Sequence, residues 1–158
     1  MYFWGENQVN RTKMEDKTFR HQMPAQLRFS DVDRFGHVNN NVYFSLFDMS
    51  KSQYLFDVVG KDIYEHLAIV VAHIESNFIT PVYYPEEIYI RTSITRMGNK
   101  SFTLHQQAFN NRTKEIKCDC ITTMVCFDTK TNKSIPIPDY FRYAVEEYEG
   151  YRKKVLVS

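Results

Sequence analysis

The spacing of hydrophobic and polar positions changes twice along this chain. From about Asn41 to Val59, Tyr43, Phe47, Ser50, Tyr54 and Val58 fall on one stripe, widened by Leu46 and Met49. That period predicts an amphipathic helix with one buried face. Asn39 or Asn40 stands where an N-cap belongs, and Gly60 where a glycine stop belongs. Ahead of the helix, Ala25 to Asp31 reads as a short strand with Leu27 and Phe29 on one face. It runs into a polar, glycine-containing turn. Beyond Gly60 the pattern switches to strands. Leu67 to Thr80 is long and rich in β-branched residues, and Glu86 to Arg96 alternates through Ile88, Ile90, Thr92 and Ile94. Ser101 to Phe109 alternates through Phe102, Leu104, Gln106 and Ala108, and Ile116 to Phe127 is a further long run. Pro81, Pro85, Gly98-Asn99 and Asn110-Asn111 punctuate these runs. The stretch after Pro138 predicts a short closing helix.

The element order is therefore strand, long helix, then four strands. A single helix with a strongly apolar stripe needs a sheet to bury it, and sequential strands supply an antiparallel one, giving an α+β layer fold. Such a layer leaves one edge strand and one sheet face poorly covered, which association into dimers or tetramers remedies. Residues 1–21 read as an N-terminal extension, 22–148 as one domain, and 149–158 as a tail.

Composition narrows the function classes. The chain has 158 residues, 43% hydrophobic and 15% aromatic, as expected of one globular domain. Twenty basic residues face nineteen acidic ones, so no electrostatic footprint for nucleic acid or an anionic membrane is expected. No apolar run approaches a membrane span, and the start lacks the pattern of a signal peptide, so a cytoplasmic location is expected. Cys118, Cys120 and Cys126 share parity on one segment, which suits packed free thiols better than a disulfide or a zinc site.

The informative segment is the turn before the helix, which gathers Arg28, Asp31, Asp33, Gly36, His37, Asn39 and Asn40. A carboxylate ahead of a helix start sits beside free backbone N–H groups and the positive end of the helix dipole. A base or nucleophile next to oxyanion donors is the minimum set for acyl-transfer hydrolysis. On these residues alone, capping and turn formation remain the competing explanation.

The run Arg28-Phe-Ser-Asp31-Val-Asp33-Arg-Phe-Gly36-His37-Val38-Asn39-Asn40-Asn41-Val-Tyr43 resembles the signature of the 4-hydroxybenzoyl-CoA thioesterase-like branch of the hotdog superfamily. The resemblance implies a hotdog fold, a long helix wrapped by a curved antiparallel sheet, assembled at least as dimers with active sites between subunits. It implies an acyl-CoA thioesterase that frees an aliphatic or aromatic acid from coenzyme A, with no cofactor beyond the coenzyme A of the substrate. Asp33 matches the catalytic carboxylate, as general base or nucleophile, and Asn40 the oxyanion-binding N–H. Tyr43 matches a packing aromatic. Asp48 stands where many relatives carry Glu, and its shorter side chain argues against catalysis there. The run Arg96-Met-Gly98-Asn-Lys100-Ser101-Phe resembles the family's turn between two sheet strands, where basic groups meet the coenzyme A phosphates. Solvated turn residues are the alternative reading of Arg96 and Lys100, of equal weight.

Asp31 is expected to order the turn or pair with Arg28, and His37 and Asn39 to shape the pocket. No metal site is expected, because His37 has no second histidine at ligand spacing. His73 and His105 read as ordinary strand residues, and no Gly-x-Ser-x-Gly elbow is present. Three alternatives stand beside the acyl-CoA thioesterase. One is hydrolysis of acyl groups from an acyl-carrier protein, a second is a module that binds acyl or aryl thioesters without cleaving them, and a third is a dehydratase of the same fold.

Overall fold

The computed structural model describes residues 19–151. The aromatic start and the signal-peptide reading lie outside the described residues, as does most of the extension and of the tail. In chain order the elements are β1 (His21–Pro24), a 3-10 turn (Phe29–Asp31), α1 (Asn40–Val58), α2 (Ile63–His66), β2 (Ala68–Phe78), β3 (Ile88–Met97), β4 (Ser101–Asn110), β5 (Ile116–Asp128), β6 (Lys133–Ser134) and α3 (Asp139–Glu149). The strands form one antiparallel sheet in the order β1-β3-β4-β5-β2, with β6 on β5. This is the expected α+β arrangement, a curved sheet against one long helix.

The helix forms where the periodicity placed it, one residue earlier at each end. Tyr43, Leu46, Phe47, Ser50, Tyr54 and Leu55 are its buried residues. Met49 does not widen the stripe: it is 61% exposed. Gly60 closes the helix at φ +143°, its N–H donating to the Leu55 carbonyl at 3.1 Å. A side chain there would be strained by that dihedral.

The core has two apolar parts. Tyr43, Phe47 and Val82 pack with Ile88, Ile90 and Ala108 under the start of α1. Tyr54 and Leu55 pack with Ile94, Phe102, Leu104, Met124 and Phe141 under its end. A polar layer separates them. The hydroxyls of Ser50 and Thr92 are 3.0 Å apart, and Gln106 Nε2 donates to the Phe47 carbonyl at 2.9 Å and to Thr92 Oγ1 at 3.1 Å. Helix α3 closes the far end. The Glu149 carboxylate accepts from the Tyr54 hydroxyl at 2.5 Å, the Ile94 N–H at 3.1 Å and Ser93 Oγ at 3.2 Å. Burial, followed by the neighbouring Glu149 charge, pushes the Tyr54 phenol far above its ordinary range.

The strand expected over Ala25 to Asp31 does not form. The ladder ends at Pro24, with one further bond from the Ala25 N–H to the Ile88 carbonyl at 2.8 Å. The Asp31 carboxylate takes the Arg28 N–H at 2.7 Å and its guanidinium at 3.2 Å, folding the chain into a turn instead. Phe29 is left 78% exposed, so no face alternates. Asp31 thus pairs with Arg28, as expected, and is itself buried.

Candidate active site

The loop from Val32 to Val38 is a tight hairpin. Val32 and Val38 form an isolated antiparallel bridge, the Asp33 N–H donates to the His37 carbonyl at 2.7 Å, and the Gly36 N–H donates to the Asp33 carbonyl at 3.0 Å. Gly36 has φ +80°, a dihedral that favours glycine. A second bridge joins His37 to Tyr83, and the Val38 N–H donates to the Val82 carbonyl at 2.8 Å, so the segment before β3 holds the loop against the sheet. Glu86 secures that segment. Burial alone would raise its pKa, but the Tyr83 N–H, Asn110 and Lys117 together hold it below its ordinary value.

Within the loop the two oxygens of Asp33 differ. Oδ1 accepts the N–H of Phe35 at 2.8 Å and of His37 at 3.2 Å. Oδ2 accepts no hydrogen bond among the described residues. One oxygen therefore fixes the carboxylate in the loop, and the other is unbonded among the described residues. Asp33 shares an open depression of about 520 Å3 with His37, Val38, Asn39, Asn40 and Asn41. That depression lies at the start of α1, whose N-cap position is Asn39. The Asn39 side chain makes no capping hydrogen bond, and the first N–H groups of a helix lack intrahelical acceptors. The wall opposite Asp33 thus carries free donors and the positive end of the helix dipole. His37 stands between aromatic rings, edge-on to Tyr83 at 5.0 Å and tilted to Phe35 at 6.4 Å.

Asp33, His37, Asn39 and Asn40 are thus brought together. Arg96, Lys100 and Ser101 are not brought to them within one chain. They lie at the turn between β3 and β4, beside the part of the sheet that packs under the end of α1. The nineteen residues of α1 separate the two ends by roughly 28 Å. Arg96 and Lys100 are both exposed there.

Residues that the sequence did not mark as site residues border a second groove on α1. Among them are Phe44, Asp48 and Lys51 from the helix, Val71 and Ile74 from β2, and Gln106 from β4. Its one legible signal is Gln106, a lone amide in the apolar alternation of β4.

The other polar candidates do different work. His105 Nε2 lies 2.6 Å from Asp119 Oδ1 on the sheet face away from α1, and His73 Nε2 lies 3.2 Å from Glu75. The three thiols are buried and free. Burial pushes Cys118 up to about 12 and Cys126 up to about 11, which disfavours thiolate chemistry at neutral pH. Among the described residues, no group of three or more His, Cys, Asp or Glu side chains is placed to hold a metal ion. No helix among them is long and apolar enough to cross a membrane.

Residues 27–145 match the thioesterase-like superfamily. The chain belongs to that family. Membership makes it a thioester hydrolase of the hotdog fold, as the run from Arg28 to Tyr43 led us to expect. The long-chain acyl-CoA thioesterase FadM of Escherichia coli is 24% identical over 131 residues, covering 80% of this chain and 97% of FadM. A thioesterase of Thermus thermophilus, whose structure holds coenzyme A and zinc, superposes with a TM-score of 0.76 at 24% identity, covering 87% of this chain and 98% of that one. A 1,4-dihydroxy-2-naphthoyl-CoA thioesterase of Synechocystis superposes with a TM-score of 0.71 at 17% identity, covering 78% and 93%. The structural likenesses establish the fold.

Proposed function

We propose that this chain hydrolyses acyl thioesters of coenzyme A, with Asp33 as the reacting carboxylate. The observation that carries this reading is the asymmetry of Asp33, with Oδ1 tied to the loop and Oδ2 free in the depression beside the helix start. A thioester carbonyl placed there has a carboxylate oxygen on one side and N–H donors of the first helical turn, that of Asn40 foremost, on the other. Oδ2 either removes a proton from the attacking water or attacks the carbonyl carbon itself. Both routes put negative charge on the carbonyl oxygen, which those N–H groups stabilise. Both end with the sulfur leaving as a thiolate that takes up a proton.

Coenzyme A has a long arm, and its phosphates sit far from the thioester. In a second copy whose α1 runs antiparallel to the first, the turn carrying Arg96 and Lys100 approaches the Asp33 end. Two observations favour such pairing. β2 is an eleven-residue edge strand, and its Val70, Val71 and Ile74 are 42%, 52% and 42% exposed. A long apolar edge invites a partner. Sedimentation at micromolar concentration is expected to give a dimer or tetramer; a fully active monomer would contradict the shared site. The variant Arg96→Ala with Lys100→Ala is expected to raise KM for acyl-CoA about tenfold or more with little change in kcat. Phosphate contacts far from the carbonyl bind ground and transition states alike. An unchanged KM would remove both residues from the site.

The test of the function itself is thiol release across acyl-CoA chain lengths, with one acyl-carrier substrate alongside. Faster turnover on coenzyme A esters is the expected result. Preference for the carrier would move the substrate class, and binding without release would make the chain a non-catalytic module.

A further inference from the structure

The groove beside β2 and the depression at Asp33 lie along the same face of α1. On a helix, residues three and four apart share a face. Asn40 and Asn41 border the depression, and Phe44 and Asp48 border the groove. One face of α1 therefore runs from the reacting carboxylate into a groove of about 460 Å3, with Val71 and Ile74 as its opposite wall. Its deep side is polar: Gln106 and Thr122 are 2% and 5% exposed, and both border the groove.

Gln106 is fixed in orientation. Its Nε2 donates to the Phe47 carbonyl, which can only accept, and to Thr92 Oγ1. The amide oxygen is thereby turned away from both, and it accepts no hydrogen bond among the described residues. The unpartnered oxygen of this buried side chain, which borders an apolar-walled groove, is an acceptor waiting for a donor. Phe47, to which Gln106 is tied, lies seven residues beyond Asn40, so this acceptor stands about 10 Å along the helix from the proposed oxyanion site. An extended chain of roughly eight single bonds spans that distance.

Resting on the thioesterase reading above, we propose that the groove is the acyl subsite and that Gln106 Oε1 selects acyl chains carrying a hydroxyl well down the chain from the carbonyl. The substrate class is an aliphatic thioester hydroxylated near the eighth carbon. The hydrocarbon between lies against Phe44, Val71 and Ile74. A hydroxyl near the carbonyl, as in a 3-hydroxyacyl group, does not reach Gln106.

The experiment compares kcat/KM of the full-length wild-type protein for octanoyl-CoA, 8-hydroxyoctanoyl-CoA and 3-hydroxyoctanoyl-CoA. A single neutral hydrogen bond corresponds to a preference of up to about tenfold. The expected result is that preference for the 8-hydroxy ester over octanoyl-CoA, and none for the 3-hydroxy ester. A purely apolar groove gives the opposite sign, because it strips water from the hydroxyl without replacing it. Equal rates, or a preference for octanoyl-CoA, would overturn the proposal while leaving the thioesterase reading intact. Release of thiol from none of the three would overturn both. In Gln106→Met the ratio of the 8-hydroxy to the octanoyl rate is expected to fall to one or below; a preference that survives in that folded variant also overturns the assignment to Gln106. The wild-type comparison decides the matter even if the variant does not fold.

Discussion

Asp33→Asn is expected to reduce turnover of a good acyl-CoA substrate by roughly 10²–10⁴-fold, the usual range for loss of a general base, and by more if the carboxylate is a nucleophile. The fold is expected to survive. The carbonyl oxygen of Asn accepts the N–H groups of Phe35 and His37 as Oδ1 does, so the loop keeps both bonds. The other position becomes an amide that cannot take a proton or attack a carbonyl. Turnover with a melting curve separates the two roles: slow and folded is the expected outcome. More than about a tenth of wild-type turnover would remove Asp33 from catalysis, since the general-base range begins near a hundredfold. Asp31→Asn is its control. That carboxylate is buried and tied to Arg28, so its loss is expected to lower stability first.

The largest effect on stability is expected from Phe102→Ala. Phe102 is fully buried in the core beneath the end of α1, its ring 5.1 Å from that of Phe141 on α3. Emptying such a site removes the burial energy of the ring and leaves a cavity the close-packed surroundings cannot fill, a loss of about 3–5 kcal/mol. Urea unfolding reads this directly. Phe102 lies in the core part away from the Asp33 loop, so the folded variant is expected to retain turnover at low temperature. A loss below about 1 kcal/mol would mean that α3 does not seal this core, contrary to what is expected of a Phe→Ala cavity.

Both effects trace to features of unequal legibility. The helix stripe was readable because Tyr43, Phe47, Ser50 and Tyr54 answer to local periodicity, and local periodicity survives packing. The four long strands were readable for the same reason, to within a few residues. The stretch from Ala25 to Asp31 was misread because its alternation competes with a side-chain interaction. Asp31 closes a turn on Arg28, and no periodicity records that. Met49 was misread because an apolar residue on the stripe's margin borders a third cleft, formed with Met23, Ala25 and Leu46, instead of entering the core. The cluster of Asp33, His37, Asn39 and Asn40 was legible because it is contiguous in sequence. Arg96 and Lys100 were named only through the family resemblance of their turn, and within one chain a helix length separates them from that cluster. The groove was visible only as an amide among apolar neighbours at Gln106, and its meaning depends on which way that amide is turned. Hydrogen-bond partners on Phe47 and Thr92, 59 and 14 positions away, decide this.

The central claim is that the free oxygen of Asp33 turns over acyl-CoA. The most direct measurement counts thiols released per protomer from excess acyl-CoA, with bound acyl-CoA measured on the same preparation. The expected result is many thiols per protomer, with release lost in Asp33→Asn while acyl-CoA still binds. Binding with no release by the wild-type protein, or equal release by wild type and variant, would contradict it.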